Sequence, residues 1–282
     1  MRRRSFLLLP PALLLARPAF AAPAATAAPG GVARLRLGSA EPAPRAHLDG
    51  RRLLVRREKK EWIALAGVPL SAQAGSTLKV EVQFGNGRQE LRPVKVIRKT
   101  YLTQHLSVAP DQAELPAEQV ARYQQEREHL TQVLRTFSES GPESLELLQP
   151  VPGRRSGSFG LRRIINGQAR SPHSGLDIAA PEGTPIAAAA AGRVADSGEY
   201  LFLGRTLVLD HGQGMLTLYA HLSAIDTASG ETVAAGAPIG KVGMTGRVTG
   251  PHLHFSVYLN AVSVDPAIFL PAEIAAAEPK QN

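Results

Sequence analysis

Hydrophobic and polar residues alternate over much of the first third of the chain. In residues 77–84 every second side chain is hydrophobic, and charged or polar side chains fill the positions between them. A Gly-Asn-Gly turn at residues 85–87 separates this run from a second hydrophobic run at residues 91–97. A period of two places one strand face against a core, and such a turn favours a hairpin. The pattern therefore predicts a small accessory β-sandwich domain over residues 32–109.

The hydrophobic period becomes that of a helix in the middle of the chain. Hydrophobic residues recur with helical spacing between residues 115 and 139, at Val120, Tyr123, Leu130, Leu134 and Phe137. A proline near the start of this stretch and Gly141-Pro142 after its end are typical helix boundaries. We therefore predict a helical linker over residues 110–149.

Short hydrophobic segments with many glycines and prolines follow the predicted helix, and they indicate β structure. Two stretches are similar to each other, because residues 180–186 and 233–240 each form a turn that leads into a β step. This repetition predicts a duplicated half-barrel over residues 150–271, followed by a C-terminal tail at residues 272–282. The predicted fold class is mainly β.

The N-terminus has the pattern of a targeting segment. Three arginines at residues 2–4 precede a hydrophobic run at residues 6–16, and an Ala-x-Ala cleavage pattern ends at residue 21. This order predicts a signal peptide over residues 1–21 and export, by either the secretory or the twin-arginine route. The hydrophobic run is too short for a transmembrane helix. The following Ala-, Pro- and Gly-rich residues 22–31 are typical of a disordered tether.

Composition narrows the chemistry further. The chain contains no cysteine, which excludes disulfides, thiolate metal ligands, a cysteine nucleophile and a lipid anchor on cysteine. The formal charge is +8 and falls to +4 without residues 1–21, which hold four arginines and no acid. This charge is typical of a mildly basic protein, and attraction to a polyanionic cell wall is the alternative interpretation. Nucleic-acid binding is not expected, since no basic patch is interleaved with aromatic residues.

Three short motifs in the last third of the chain contain its densest set of reactive side chains. They are His-x-x-x-Asp at residues 173–177, Tyr-x-His-Leu at 219–222 and Pro-His-Leu-His at 251–254. Imidazoles and one carboxylate from these motifs fit a catalytic zinc site with three protein ligands and an open position for water. Each motif alone is also compatible with ordinary structural or solvated histidines. The remaining histidines are expected outside the site: His47, His105 and His129 as solvated side chains, and His211 in a turn.

The Pro-His-Leu-His motif leads into a predicted strand. Alternation places His252 and His254 on one strand face, while Leu253, Phe255 and Val257 share the opposite face toward the core. Two imidazoles are therefore expected to point into one cleft.

The order of the motifs resembles that of the lysostaphin-type (LytM-like) zinc metalloendopeptidases, which hydrolyse peptidoglycan. The resemblance spans roughly residues 159–270 and includes Phe-Gly-Leu-Arg at 159–162, Gly-Thr-Pro at 183–185 and Asp-His-Gly at 210–212. It implies a groove-forming antiparallel β domain and hydrolysis of the peptide cross-links of peptidoglycan. The region before the helix is similar to the accessory region of some Gram-negative members.

The same resemblance implies a role for each site residue. His173, Asp177 and His254 match the zinc ligands, and His221 and His252 match the two catalytic histidines. Which of the two histidines acts as general base stays open at this point. A His-Glu-x-x-His motif is absent from the sequence, which excludes the thermolysin pattern.

Other functions fit parts of the sequence less well. A biotinyl or lipoyl carrier would need a lysine in the turn at residues 243–246, which has none, and a phosphocarrier would lack its donor after export. A non-hydrolytic exported activator or wall-binding protein of the same fold remains the alternative. For an enzyme of this kind, residues 32–149 are expected either to control access, by covering the groove or docking a regulatory protein, or to tether the chain to the wall.

Overall fold

The computed structural model describes residues 24–107 and 116–273. The predicted signal peptide and most of the predicted C-terminal tail lie outside these residues. The N-terminal strands are β1 (Ala25–Ala27), β2 (Val32–Gly38), β3 (Arg45–Leu48), β4 (Arg51–Arg52), β5 (Leu54–Glu58), β6 (Glu61–Gly67), β7 (Thr77–Gln83), β8 (Gln89–Val96) and β9 (Thr103–Leu106). A helix, α1 (Ala117–Val133), follows. No helix among the described residues is long and hydrophobic enough to cross a bilayer.

Strands continue through the C-terminal half. They are β10 (Arg155–Gly157), β11 (Arg162–Ile165), β12 (Gln168–Ala169), β13 (Leu176–Ile178), β14 (Pro185–Ala187), β15 (Gly192–Tyr200), β16 (Gly204–Gly212), β17 (Met215–Ile225), β18 (Thr232–Val233), β19 (Pro238–Val242), β20 (Leu253–Leu259) and β21 (Val262–Val264). A 3₁₀ turn at Pro266–Ile268 ends the described chain's regular structure. The mainly β fold class predicted from the sequence is confirmed.

The N-terminal strands form two sheets with a common core. A five-stranded sheet has the order β1-β8-β7-β3-β4, and a three-stranded sheet has the order β2-β6-β5. Leu35 on β2 and Val80 and Val82 on β7 are buried in the cluster between them. These residues alternate with exposed ones, as the period-two pattern requires. The predicted N-terminal β domain is therefore confirmed.

The expectation of a disordered tether at residues 22–31 is wrong for the part that the structure describes. β1 pairs in parallel with β8, and Ala25 lies opposite Val94. The backbone continues the contact beyond the strand, since the Gly30 N–H donates to the Val68 carbonyl at 2.7 Å. Short side chains let this segment lie closely on the sheet. It covers part of an edge that would otherwise have unpaired backbone groups.

The predicted linker helix is confirmed, but it is shorter than the hydrophobic pattern indicates. It ends at Val133, whereas the pattern continues to Phe137. Beyond the helix the Ser138 carbonyl accepts a hydrogen bond from the Gln213 N–H at 2.9 Å. Arg52 lies 4.2 Å from the centre of the Phe137 ring. These tertiary contacts hold the residues after Val133 against both domains in place of another helical turn.

The C-terminal strands form a ten-stranded sheet with the main order β10-β13-β20-β17-β16-β15-β18. Its strand pairs are antiparallel. The two stretches that are similar in sequence pair with each other, because β14 lies antiparallel to β19 with Ile186 opposite Gly240. Large side chains such as Tyr219 and Phe255 fill the core.

The two domains share buried surface instead of meeting through a loose linker. On β6 successive side chains alternate between the two cores: Ala64 and Ala66 face the N-terminal one, while Ile63 and Leu65 face the C-terminal one. β9 also pairs in parallel with β11, which places a strand of the first half of the chain beside the C-terminal domain. The relative position of the domains is therefore fixed by packing on both sides of one small sheet.

A buried polar chain connects β16 and β17 with the segment after β14. The Ala189 N–H donates to the Tyr219 hydroxyl at 2.9 Å, and this hydroxyl lies 3.1 Å from the Thr217 hydroxyl. His211 continues the chain, with Nε2 at 2.7 Å from the Thr217 hydroxyl and Nδ1 at 2.8 Å from the Ala191 carbonyl. The turn position expected for His211 is thus wrong: it lies on β16, and burial lowers its pKa, so the neutral ring accepts at Nε2.

We expect Tyr219→Phe to lower the free energy of unfolding by about 1–3 kcal/mol. The change leaves the buried Ala189 N–H without its acceptor and the Thr217 hydroxyl without one partner. Urea denaturation of the two proteins measures this difference. Tyr123→Phe is the matched control, because that tyrosine is half-exposed on α1. Equal midpoints for wild type and Tyr219→Phe would contradict the role assigned to the hydroxyl.

Candidate metal centre

Three side chains converge at the edge where β13 meets β20. His173 Nε2 lies 3.0 Å from His254 Nδ1 and 3.1 Å from Asp177 Oδ1, and the latter two atoms are 3.0 Å apart. β13 pairs antiparallel with β20 so that Asp177 is directly opposite His254. Within residues 24–107 and 116–273, these three form the one group of ligand atoms close enough to hold a metal ion.

Each histidine of the group is oriented by a hydrogen bond at its other ring nitrogen. His173 Nδ1 donates to the Ser158 carbonyl at 3.0 Å. His254 Nε2 lies 3.0 Å from the Ser256 hydroxyl, two residues along the same strand face. These contacts fix both rings, so that His173 Nε2 and His254 Nδ1 point at one place together with the Asp177 carboxylate.

Gly175 permits this close approach. A Cβ atom at this position would lie 2.7 Å from the His254 ring and 2.5 Å from the Ser256 hydroxyl. Both distances are shorter than a side chain tolerates. The His-x-x-x-Asp motif therefore wraps around His254 because its middle residue has no side chain.

The donor set fits a metal ion of the zinc type. Zinc binds imidazole nitrogen and carboxylate oxygen at about 2.0–2.2 Å in tetrahedral geometry, which places ligand atoms roughly 3.3 Å apart. The three ligand atoms here are 3.0–3.1 Å apart. Burial alone would raise the pKa of the Asp177 carboxyl, but the adjacent His173 and His254 imidazoles outweigh it and hold this pKa well below its usual range. Burial lowers the pKa of His254, which favours the neutral ring that a metal requires.

Two further histidines lie beside this group. The His221 ring is 4.9 Å from the His252 ring and 5.8 Å from the His254 ring, measured between centroids. His252 Nε2 is 3.8 Å from the Asp177 carboxylate. The structure thus brings together all five residues that the sequence singled out. His47, His105, His129 and His211 are not part of this cluster.

His221 and His252 are also oriented through Nδ1. This atom donates to the Thr245 carbonyl in His221 and to the Gly250 carbonyl in His252, at 2.9 Å in both cases. Burial, followed by the nearby His254 and His252, lowers the pKa of His221 to about 4. Sequence reasoning missed these orienting partners because a backbone carbonyl has no sequence signature. Ser256 could have been found, because it shares the strand face of His254.

An open groove of about 670 Å³ runs along one side of the cluster. Asp177 and His252 line this groove, and Arg163 contributes to its wall. Residues 102–104, at the N-terminal end of β9, also line it. The site is therefore accessible from solvent, and its wall includes chain from before the helix.

Both halves of the chain match known family models. Residues 171–266 match the model described as Peptidase family M23, and residues 25–99 match the Peptidase family M23 N-terminal domain. All five clustered residues lie within the first match. β9, α1 and the Ser158 carbonyl that orients His173 lie between the two matches.

Individual proteins that are similar to this chain in sequence or structure carry names that agree with these family matches. The crystal structure of a Pseudomonas aeruginosa protein assigned to peptidase M23 is 43% identical, with a TM-score of 0.72, and covers 86% of this chain and 94% of its own. The DD-carboxypeptidase/endopeptidase Mpg of Neisseria meningitidis is 42% identical over 132 residues, and the peptidoglycan DD-endopeptidase ShyC of Vibrio cholerae is 41% identical over 123. These stretches are 47% and 43% of this chain, but they are only 30% and 28% of the two relatives' own length.

We expect His254→Ala to lose tightly bound metal. The change removes the ligand that contacts both other members of the group, and two remaining ligands hold zinc weakly. After loading with zinc and dialysis, the wild-type protein should retain about one equivalent by elemental analysis. His105→Ala, an exposed histidine on β9, is the matched control and should retain the same amount. Full metal content in His254→Ala would contradict the ligand assignment.

Proposed function

Because this chain belongs to peptidase family M23, we propose that it is a zinc-dependent endopeptidase that hydrolyses the peptide cross-links of peptidoglycan. The observation that carries the proposal is the convergence of His173, Asp177 and His254 beside His221 and His252 at an open groove. Family membership also confirms the resemblance noticed from the motifs. The names of the Neisseria and Vibrio relatives support peptidoglycan as the substrate.

In the proposed mechanism His173, Asp177 and His254 hold the zinc ion. A bound zinc ion supplies Lewis-acid chemistry, which polarises an amide carbonyl and makes a water molecule more acidic. Hydrolysis then needs two proton transfers, one from water and one to the leaving amine. His221 and His252 divide these transfers, because their Nδ1 atoms donate to carbonyls and their Nε2 atoms remain for the substrate side. The new C–O bond replaces the C–N bond, and the amine leaves with the second proton.

We also propose that the chain acts outside the cytoplasm, in the periplasm or cell envelope. The signal-peptide pattern at residues 1–21 motivates this location. A substrate in the cell wall also requires a location outside the cytoplasm. The N-terminal domain then lies beside the enzyme's own groove, through the pairing of β9 with β11. The proposed roles of residues 32–149 stay open between covering the groove, docking a regulatory protein and tethering the chain to the wall.

Digestion of purified cross-linked peptidoglycan tests the reaction. We expect cross-linked dimers to become monomers with new amino groups, as measured by mass spectrometry and amine labelling. A zinc chelator should abolish this conversion, and added zinc should restore it. New reducing sugar ends would show a glycan-cleaving enzyme and contradict the proposal. Zinc binding without any digestion would favour the alternative, a non-hydrolytic activator or wall-binding protein.

His221→Ala and His252→Ala separate catalysis from metal binding. Each variant should keep its zinc and its fold, because neither side chain belongs to the three-residue ligand group. Each should lose about 10²-fold or more in turnover, since one proton transfer loses its imidazole. Turnover is measured on a defined muropeptide dimer, with His105→Ala as the control. A near-normal rate in either variant would remove that histidine from the mechanism.

A further inference from the structure

Helix α1 lies between the two family matches, yet it contacts the hairpin that leads to a proposed catalytic histidine. We propose that Glu126 on α1 is a positioning residue for His221 and acts through the β15–β16 hairpin end at residues 201–204. The catalytic part of this inference rests on the proposed function, because it takes His221 as a participant in hydrolysis. The structural part, that Glu126 fixes the position of the His221 ring, does not depend on the proposed function.

The first step is the contact between α1 and the hairpin end. Glu126 Oε2 accepts a hydrogen bond from the Leu201 N–H at 2.7 Å. The Tyr123 ring meets the Phe202 ring edge to face, with centroids 5.1 Å apart. Leu130 of the helix packs against the cluster of residues that lies under this hairpin. One face of the helix therefore holds the hairpin end through a charged acceptor, an aromatic contact and apolar packing.

The hairpin end in turn holds the backbone around His221. The His221 N–H donates to the Leu203 carbonyl at 2.8 Å. The Phe202 carbonyl accepts from the Arg247 N–H at 3.0 Å, which fixes the loop that contains Thr245. Gly204 lies so close to Thr245 that a Cβ atom there would clash with its backbone. The hairpin end therefore contacts α1 on one side, and on the other it contacts the backbone of His221 and the loop that contains Thr245.

His221 needs this support because its backbone is unfavourable. Its φ is +66°, in the left-handed region that residues with a side chain rarely adopt. Such a conformation persists only where the surroundings impose it. Here the Leu203 carbonyl holds the main chain and the Thr245 carbonyl holds the ring. If the hairpin end moves, His221 can relax to a common conformation and turn Nε2 away from the substrate side.

Four variants on one helix test the inference. Glu126→Ala removes the acceptor for the Leu201 N–H. Glu126→Gln keeps an acceptor oxygen at this position and should retain the wild-type kcat. Arg122→Ala removes the ion pair that Glu126 makes at 2.6 Å without affecting the Leu201 contact. Glu128→Ala removes an exposed carboxylate two residues away. The measurements are kcat and KM on a muropeptide dimer, zinc content, and the ¹⁵N and ¹H signals of the His221 ring in the zinc-loaded protein.

We expect kcat of Glu126→Ala to fall about fivefold to tenfold, with KM and zinc content unchanged. The Nδ1–H signal of His221 should shift in this variant alone, because its bond to the Thr245 carbonyl is disturbed. Glu126→Gln, Arg122→Ala and Glu128→Ala should match wild type in both measurements. A wild-type kcat and an unshifted ring signal in Glu126→Ala would overturn the inference. An equal loss of kcat in Glu128→Ala would also overturn it, and so would a loss of kcat in Glu126→Ala that accompanies release of zinc.

The ring signal also separates this inference from the proposed function. If wild-type protein fails to digest peptidoglycan, the proposed function fails. The His221 signal then still reports whether Glu126 positions the ring. If wild type digests peptidoglycan and the signal does not respond to Glu126→Ala, the proposed function stands and the positioning role is rejected.

Discussion

The pairing register of β13 with β20 is the constraint on which the candidate site depends. It sets Asp177 opposite His254 and puts both side chains on the face where His173 arrives from the preceding turn. A shift of one residue would send the Asp177 carboxylate to the opposite side of the sheet, into a region filled by apolar side chains. The buried neighbours Leu176 and Ile178 prevent such a shift, since they would have to exchange places with the carboxylate. Hydrophobic packing of Leu176 and Ile178 therefore fixes the register that brings the candidate metal ligands together.

A second constraint is the sheet that the two domains share. Large side chains on one face of β6 complete the C-terminal core, and small ones on the other face complete the N-terminal core. Residues 63–67 of β6 are therefore buried on both faces of the strand, which explains why the sequence of β6 is nearly continuous in hydrophobic residues. The C-terminal domain consequently has an apolar surface of its own that the N-terminal domain covers. The pairing of β9 with β11 adds a second contact between the two halves of the chain, next to the groove.

Much of this architecture follows from short-range sequence patterns, and the remainder depends on contacts distant in sequence. Alternation in residues 77–84 and 253–257 predicted the strands and the faces of their hydrophobic side chains correctly, because a period of two is a direct consequence of strand geometry. The five cluster residues could be found since reactive side chains are visible in a sequence. The end of α1 and the strand at Ala25–Ala27 could not be predicted from local patterns. Both depend on contacts with residues more than 60 positions away in the sequence. His211 was misplaced for a different reason: its partner Thr217 is only six residues away, but the two side chains meet only when β16 and β17 pair.

β9 has a consequence for how far the C-terminal domain is separable as a module. The segment matched to the peptidase family, residues 171–266, contains every side chain of the cluster, and it would be the natural unit to transplant into another protein. Such a graft would leave behind one wall of the groove, the carbonyl that orients His173 and the helix beside the hairpin end. A transfer of residues 171–266 alone would include the reactive side chains but not the neighbouring residues that orient them. A segment that keeps these surroundings together with the cluster therefore begins at β9.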